Sequence, residues 1–402
     1  MRRFLTIVMA VLLPAVAFAQ GGNMGYGLEE RDDGGYTSFA EKILNLERKA
    51  EAFNLYLNFA GAYHEDMDKR FLFTGAFHAK HLSLEIKGRF GEHLYYRFRH
   101  RLNRSSVGQS EDGFAEATDI MMAGWRFNDR FAVEAGKMCQ YWGGFEADEH
   151  PATVHAYSEM LSGMDRYRTG FAFLFEPFSG QEFVLNVTDS FGSKFNDVYV
   201  AGARTLSGMP VEGVDHPLAW ILGWNGRFLG GMVNTRWAAG FSSLAKRVEA
   251  SAGNYYNILF SVGQQLKLNR FQLYVDYVRS IEDLDCHRYA TVDMDLPSGI
   301  FVPNVLYQSV VVKGDWQVAP RWNLTGKAMY ETASVTQSYD FRNYRTSLGA
   351  GGAVEFCPAP GEDLRLFVSL FGRAHLPSAA SRLPKYLQIR AETGLIYHIK
   401  AY

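Results

Sequence analysis

The stretch HLYYRFRHRLNR, residues 93–104, decides how the chain is to be read. Arg97, Arg99 and Arg101 recur at every second position, so in an extended strand they share one face. The other face carries Leu94, Tyr96, Phe98 and Leu102. A helix would scatter both sets around its circumference, so the period of two marks a strand with one charged and one apolar side. The preceding segment repeats the design: His81, Ser83, Glu85, Lys87 and Arg89 alternate with Leu82, Leu84, Ile86 and Gly88. A short turn at 90–92 joins the two runs, so Lys87 and Arg89 extend the basic stripe onto the neighbouring strand.

The same period governs the chain from Phe53 onward. Phe53, Leu55, Leu57 and Phe59 alternate with Asn54, Tyr56 and Asn58; Phe271, Leu273, Val275 and Tyr277 alternate with Gln272, Tyr274 and Asp276; Trp322, Leu324, Gly326, Ala328 and Tyr330 alternate with Asn323, Thr325, Lys327 and Met329. Each run is about ten residues, the length of a tilted membrane-spanning strand, whereas globular strands average about five or six. Short turns fall near 90–92, 128–130, 179–181, 229–231, 267–269, 319–320 and 360–362. Long connections fall between them, at 64–76, 104–116, 139–167, 189–217, 242–253, 281–304, 333–344 and 375–385. This pattern predicts an all-β fold over residues 53–402, a transmembrane antiparallel β-barrel of about 16 strands in the bacterial outer membrane. Long loops lie outside and both termini lie in the periplasm. A soluble sandwich or propeller would have shorter strands and would not place a long connection at every second turn. A sheet in lipid must close, because an open edge leaves backbone groups unpaired in hydrocarbon. Arginines facing lipid would cost several kcal/mol each near the midplane, so Arg97, Arg99 and Arg101 must face the lumen.

Composition agrees. Of 402 residues 47% are apolar and 21% charged, with 39 Gly, 30 Phe, 22 Tyr, 7 Trp and 12 Pro. Apolar content is too high for disorder, and balanced charges exclude a nucleic-acid partner. Past the N-terminus no uncharged apolar run reaches the ~18 residues of a spanning helix. A barrel keeps an ordinary mean hydropathy because lipid-facing and lumen-facing residues average out along each strand.

The first residues, MRRFLTIVMAVLLPAVAFAQ, combine a basic start, a short apolar core and the cleavage pattern Ala17-Phe18-Ala19. They read as a signal peptide over 1–19. Its removal takes Lys plus Arg from 41 to 39 against 43 acids, a mature charge of −4. Residues 20–52 form a Gly-rich leader and a short periplasmic amphipathic helix, opened by the capping box Ser38–Glu41 and carrying Ile43, Leu46, Ala50 and Phe53 on one face. That face would rest on the barrel or on copies of itself. Cys139, Cys286 and Cys357 are too few for a disulfide framework and match no metal spacing; they read as buried thiols or one bridge.

Two features carry functional information. A ladder of Arg and Lys in a pore attracts anions and offers bidentate hydrogen bonds to phosphate or carboxylate. The stripe could instead serve to neutralise acids such as Glu85. The connection 139–167, at nearly thirty residues, is long enough to fold into the barrel and constrict it, with helical potential over 153–160. It carries Glu146, Asp148, Glu149, Glu159 and Asp165, its basic residues coming only at Arg166 and Arg168. Glu146, Asp148, Glu149, His150 and His155 are metal-capable types, but without a fixed spacing they read as a solvated acidic loop, as does 64–68. No G-x-S-x-G hydrolase motif is present, and no phosphate or dinucleotide loop is convincing.

The runs FNLYLNFAGAYH (53–64), FAVEAGKMCQYWGGFEADEHP (131–151) and MDRYRTGFAFLFEP (164–177) resemble the phosphate-selective porin O/P family, more closely its Bacteroidetes-type members. The resemblance implies a 16-stranded, homotrimeric outer-membrane porin with an anion-selective, basic-lined pore. Lys137 matches the family's Gly-Lys before the constriction loop, and Arg97, Arg99 and Arg101 match its arginine-rich strand. The acidic loop departs from the pattern, since an acidic constriction repels phosphate.

The expectation is passive diffusion of small hydrophilic, anionic, phosphate-like solutes past Lys87, Arg89, Arg97, Arg99, Arg101, Lys137, Arg166 and Arg168. The partners are outer-membrane lipid and two further copies of the chain. No cofactor, metal or catalysis is expected. The alternatives are a barrel hydrolase of lipase or esterase type and a plugged structural or secretion-associated barrel.

Overall fold

A computed structural model describes residues 53–401 except 68–70, 109–111, 249–252 and 360–362. The leader helix, the cleavage site, the turn at 360–362 and Tyr402 lie outside the described residues. Sixteen long strands form the barrel: β1 Asn54–Met67, β2 Phe73–Phe90, β3 Leu94–Arg101, β4 Thr118–Asn128, β5 Phe131–Cys139, β6 Tyr167–Phe178, β7 Gln181–Asp189 and β8 Leu218–Phe228, followed by β9 Val233–Arg247, β10 Asn254–Lys267, β11 Phe271–Leu284, β12 Pro303–Ala319, β13 Trp322–Val335, β14 Arg345–Phe356, β15 Asp363–Pro377 and β16 Tyr386–Lys400. Each pairs antiparallel with its neighbours in sequence, and β16 returns to β1 from Tyr56↔Lys400 to Met67↔Ile389. The sheet is therefore closed, as hydrocarbon demands. The segment Val211–Glu212 adds a short pairing at the end of β9, and Arg204–Thr205 runs parallel to Ile300–Phe301 where two external loops meet.

The strands run longer than the sequence expectation. β1 continues to Met67 and β2 begins at Phe73, so His64 and Asp66 are strand residues and not a loop tip. His64 stacks edge-on to His78, and Asp66 receives a bidentate pair from Arg390 of β16 at 2.6 and 2.9 Å. These cross-strand contacts continue the ladder where polarity alone suggested a solvated turn.

Alternation sorts the side chains as the sequence requires. Phe171, Phe173, Phe183, Leu185 and Leu222 are exposed on the outer surface, while Ala172, Leu174, Val184 and Asn186 point inward and are buried. The exposed aromatics Phe90, Trp125, Phe175, Phe183, Trp316 and Trp322 all stand near short turns. Aromatic rings settle at the lipid–water boundary, so they form a girdle at the turn end of the barrel. This accounts for the high aromatic content and fixes the depth of the structure.

Leu222 sits mid-strand on the outer face, opposite Leu185 and Ala239. Leu222→Arg is expected to lower stability by about 2–4 kcal/mol, measured by reversible denaturant unfolding in lipid vesicles.

Candidate pore and its constriction loop

The basic ladder forms as the alternation requires. On β3, Tyr95, Arg97, Arg99 and Arg101 face the lumen, in register with Arg89, Lys87, Glu85 and Ser83 of β2. Arg97 donates to Glu85 at 2.7 Å, and Arg99 and Arg101 lie 3.2 and 2.8 Å from Asp119 of β4. Arg99 also donates to the Tyr167 hydroxyl at 2.5 Å. Lys87 and Lys400 both approach the Tyr56 ring of β1, their ammonium groups 4.8 and 5.9 Å from its centre. Three residues expected to line the pore with them are held elsewhere. Lys137 pairs with Met121, an exposed outer-row residue. Its ammonium lies 3.7 Å from Asp112 and over the Phe114 ring, both in the connection between β3 and β4. Arg166 donates to the Ala147 carbonyl at 2.7 Å, and Arg168 to the carbonyls of Asp165 and Asp189. Lys137 thus stays outside the ladder, and Arg166 and Arg168 fasten loop backbone.

The loop 140–166 folds inward and crosses the lumen. Gln140 donates to Thr188 of β7 at 2.7 Å, and the Gly143 N–H to Ser261 of β10 at 3.1 Å. The Phe145 and Glu146 N–H groups then donate to the Asp276 carboxylate of β11 at 3.0 and 2.7 Å. Gly144 and Gly263 make this approach feasible. A Cβ on Gly144 would collide with the Asp276 carboxylate, and one on Gly263 would stand 3.0 Å from the Gly144 Cα. Only the first helical turn, Phe145–Asp148, and a second at Glu159–Gly163 form. The sequence had suggested a helix over 153–160; Ser158 starts it later, because its hydroxyl accepts the Leu161 N–H as an N-cap.

The acidic side chains of this loop do not confront the arginine ladder. The opposite wall takes them. Lys327 of β13 donates to Glu146 at 2.6 Å, Lys313 of β12 to Glu149 at 2.8 Å, Arg236 of β9 to Asp148 at 2.9 Å and Arg345 of β14 to Glu159 at 3.0 Å. Lys327 and Glu146 are almost fully buried. Burying either charge alone would be strongly unfavourable, so these four cations are each matched to a loop carboxylate, while Arg373 on the same wall meets Glu331 of β13 at 3.3 Å. At its far reach the loop meets the ladder wall through His150, edge-on to His81 of β2 and His398 of β16, with ring centroids 5.2 and 5.0 Å away. Burial, and then the Arg99 charge, hold the His150 imidazole well below its ordinary pKa. The loop therefore presents a neutral ring to the arginines.

One Ser–His–acid contact exists among these groups. Ser347 Oγ lies 2.9 Å from His375 Nδ1 and 3.1 Å from Glu159 Oε1, while His375 Nε2 meets Gln388 at 3.1 Å. In a hydrolytic triad the acid orients the imidazole nitrogen far from the serine. Here serine and acid meet at one nitrogen, Gln388 holds the other, and Arg345 binds the acid, so the group reads as part of the loop anchor. Cys139, Cys286 and Cys357 are free thiols.

A barrel of sixteen strands, an aromatic girdle and an inward-folded third external loop define an outer-membrane channel. The family model for phosphate-selective porin O and P matches residues 53–399, and the chain belongs to that family. No functionally curated protein matches the sequence. Solved structures with the same fold include the outer-membrane channel DcaP of Acinetobacter baumannii (10% identity, TM-score 0.58, covering 88% of this chain and 99% of that one). OmpF of Salmonella typhi, solved in complex with daunomycin, is similar at 12% identity and TM-score 0.56 over 86% and 97% of the two chains. OmpT of Vibrio cholerae is similar at 10% identity and TM-score 0.54 over 88% and 99%.

Asp276→Ala leaves two loop N–H groups without their acceptor, a loss of about 1–3 kcal/mol for each buried donor. The expected result in planar bilayers is a larger or flickering single-channel conductance, with Asp276→Asn, which keeps one acceptor oxygen, closer to the parent.

Proposed function

We propose that this outer-membrane porin carries small hydrophilic anions, phosphate-like or carboxylate, by passive diffusion through a lumen made selective by the β2–β3 wall. The reading rests on one observation: the loop acids are compensated on the far wall, so they do not cancel the ladder. On the wall from β16 to β5, Lys80, Lys87, Arg89, Arg97, Arg99, Arg101, Arg390 and Lys400 outnumber the carboxylates Asp66, Glu85, Asp119, Glu134 and Glu392. A cationic excess remains beside the water path, and guanidinium groups suit oxyanions because they can hold two oxygens at once. Loop 140–166 sets the size limit, and where it meets the ladder wall it presents His150 and not one of its carboxylates.

The assembly is a homotrimer embedded in outer-membrane lipid, exported by residues 1–19, with 20–52 as a periplasmic leader. Support for three copies comes from the fold shared with the trimer form of Vibrio cholerae OmpT, at 11% identity and TM-score 0.50.

Zero-current potentials across a bilayer under a KCl gradient test the selectivity. The parent is expected to prefer chloride over potassium, with added phosphate reducing chloride conductance. The triple variant Arg97→Ala, Arg99→Ala, Arg101→Ala removes the guanidinium partners of Glu85 and Asp119, so it is expected to shift the preference toward cations. A parent channel that prefers potassium would overturn the anionic reading.

A further inference from the structure

Outside the pore, one cluster of donors is not used by any of this. Where β11 ends at the external rim, Glu282, Cys286 and His287 bring a carboxylate oxygen, a thiol sulfur and an imidazole nitrogen together within 4.8 Å of one another. Glu282 is fully buried and the His287 side chain nearly so. We propose that these three residues bind a borderline-soft divalent cation of the zinc class, which pins the β11–β12 loop to the rim of the barrel.

The argument begins with donor type. Mixed oxygen, nitrogen and sulfur ligands are unsuited to calcium or magnesium, which take oxygen, and suited to zinc or cobalt. Geometry agrees. The Cys286 sulfur lies 3.3 Å from Glu282 Oε2 and 3.6 Å from His287 Nδ1. Tetrahedral zinc with bonds of about 2.0–2.3 Å requires ligand–ligand edges of about 3.2–3.6 Å. His287 Nδ1 shares a hydrogen bond with the other Glu282 oxygen, Oε1, whose proton a bound cation would replace, and one donor atom from each of the three residues lies within 4.8 Å of the other two.

The surroundings orient the triangle. Ser280 Oγ donates to Glu282 Oε1 at 2.8 Å and the Cys286 N–H to Oε2 at 2.8 Å, the role outer groups play around metal ligands. Asp285 stands beside the cluster but its oxygens are taken by Arg288, Thr291 and Tyr307, so it shapes the loop and leaves three protein ligands, with the fourth position open to water. The charged or titratable neighbours facing the cluster are Asp285, Arg168 of β6, Tyr199 of the loop between β7 and β8, and Tyr289 and Tyr307, whose rings pack on His287. A cation binding there displaces the Cys286 thiol proton. One carboxylate and one thiolate then match the charge of a divalent ion.

Cobalt(II) titration of the full-length protein in detergent tests this, since cobalt replaces zinc and its bond to a thiolate gives a charge-transfer absorption. The expected result is saturation at one cobalt per chain with that absorption present. It should survive in a Cys139→Ser, Cys357→Ser variant. Cys286→Ser should abolish the absorption, and His287→Ala should weaken binding more than about tenfold, while both variants keep the heat-modifiable gel mobility of a folded barrel. Absence of stoichiometric cobalt, or an absorption retained in folded Cys286→Ser, would overturn the site.

Discussion

Hydrocarbon cannot hydrogen-bond a backbone, and the rest of the structure follows from that. Every strand must pair on both edges, so β16 has to find β1, and sixteen strands close with no edge left in lipid. Closure gives each strand one lipid face and one lumen face. Charged side chains at membrane depth then have one place to go. The arginines of β3, the lysines of β12 and β13 and the carboxylates of β2, β11 and β13 all enter the same narrow interior.

Crowding charges into that interior creates a second requirement, compensation. The two walls meet it differently. The ladder wall compensates locally, across one strand or two, through Glu85 and Asp119. The far wall carries Lys313, Lys327, Arg345 and Arg373 and receives part of its counter-charge from loop 140–166. An acidic constriction loop is therefore compatible with an anion-attracting lumen. Its carboxylates act as counter-ions for cations it also covers, and their field does not reach across the water path as free charge would. Small residues complete the fit, since the backbone at Gly144 approaches the wall as closely as the Asp276 carboxylate permits.

Much of this was legible in the sequence. Period two, alternating turn lengths and charge at the lipid midplane were enough for the barrel, the strand count and the inward face of Arg97, Arg99 and Arg101. Lys137 was misplaced because it was matched to a motif, although its own strand held the answer: it stands three residues from the lumen-facing Glu134, an odd step that puts it on the other face. The partners of the loop were beyond reach for a different reason. Glu146 and Lys327 are separated by 181 positions, and Glu159 and Arg345 by 186, and no local periodicity encodes such pairings. Lys327 was visible only as one polar residue on an alternating strand.

The loop is also held from above, and this bears on how the channel stays one size. Tyr289, in the connection between β11 and β12, donates to the Glu159 carbonyl at 2.6 Å. Arg345 joins the Glu159 carboxylate to Asp293 of that same connection, 3.0 and 3.2 Å away. Constriction loop, external loop and barrel wall thus share one guanidinium. Loosening any of the three exposes a buried charge in the other two, so the cost of moving the constriction is set by the whole network and exceeds that of any single ion pair.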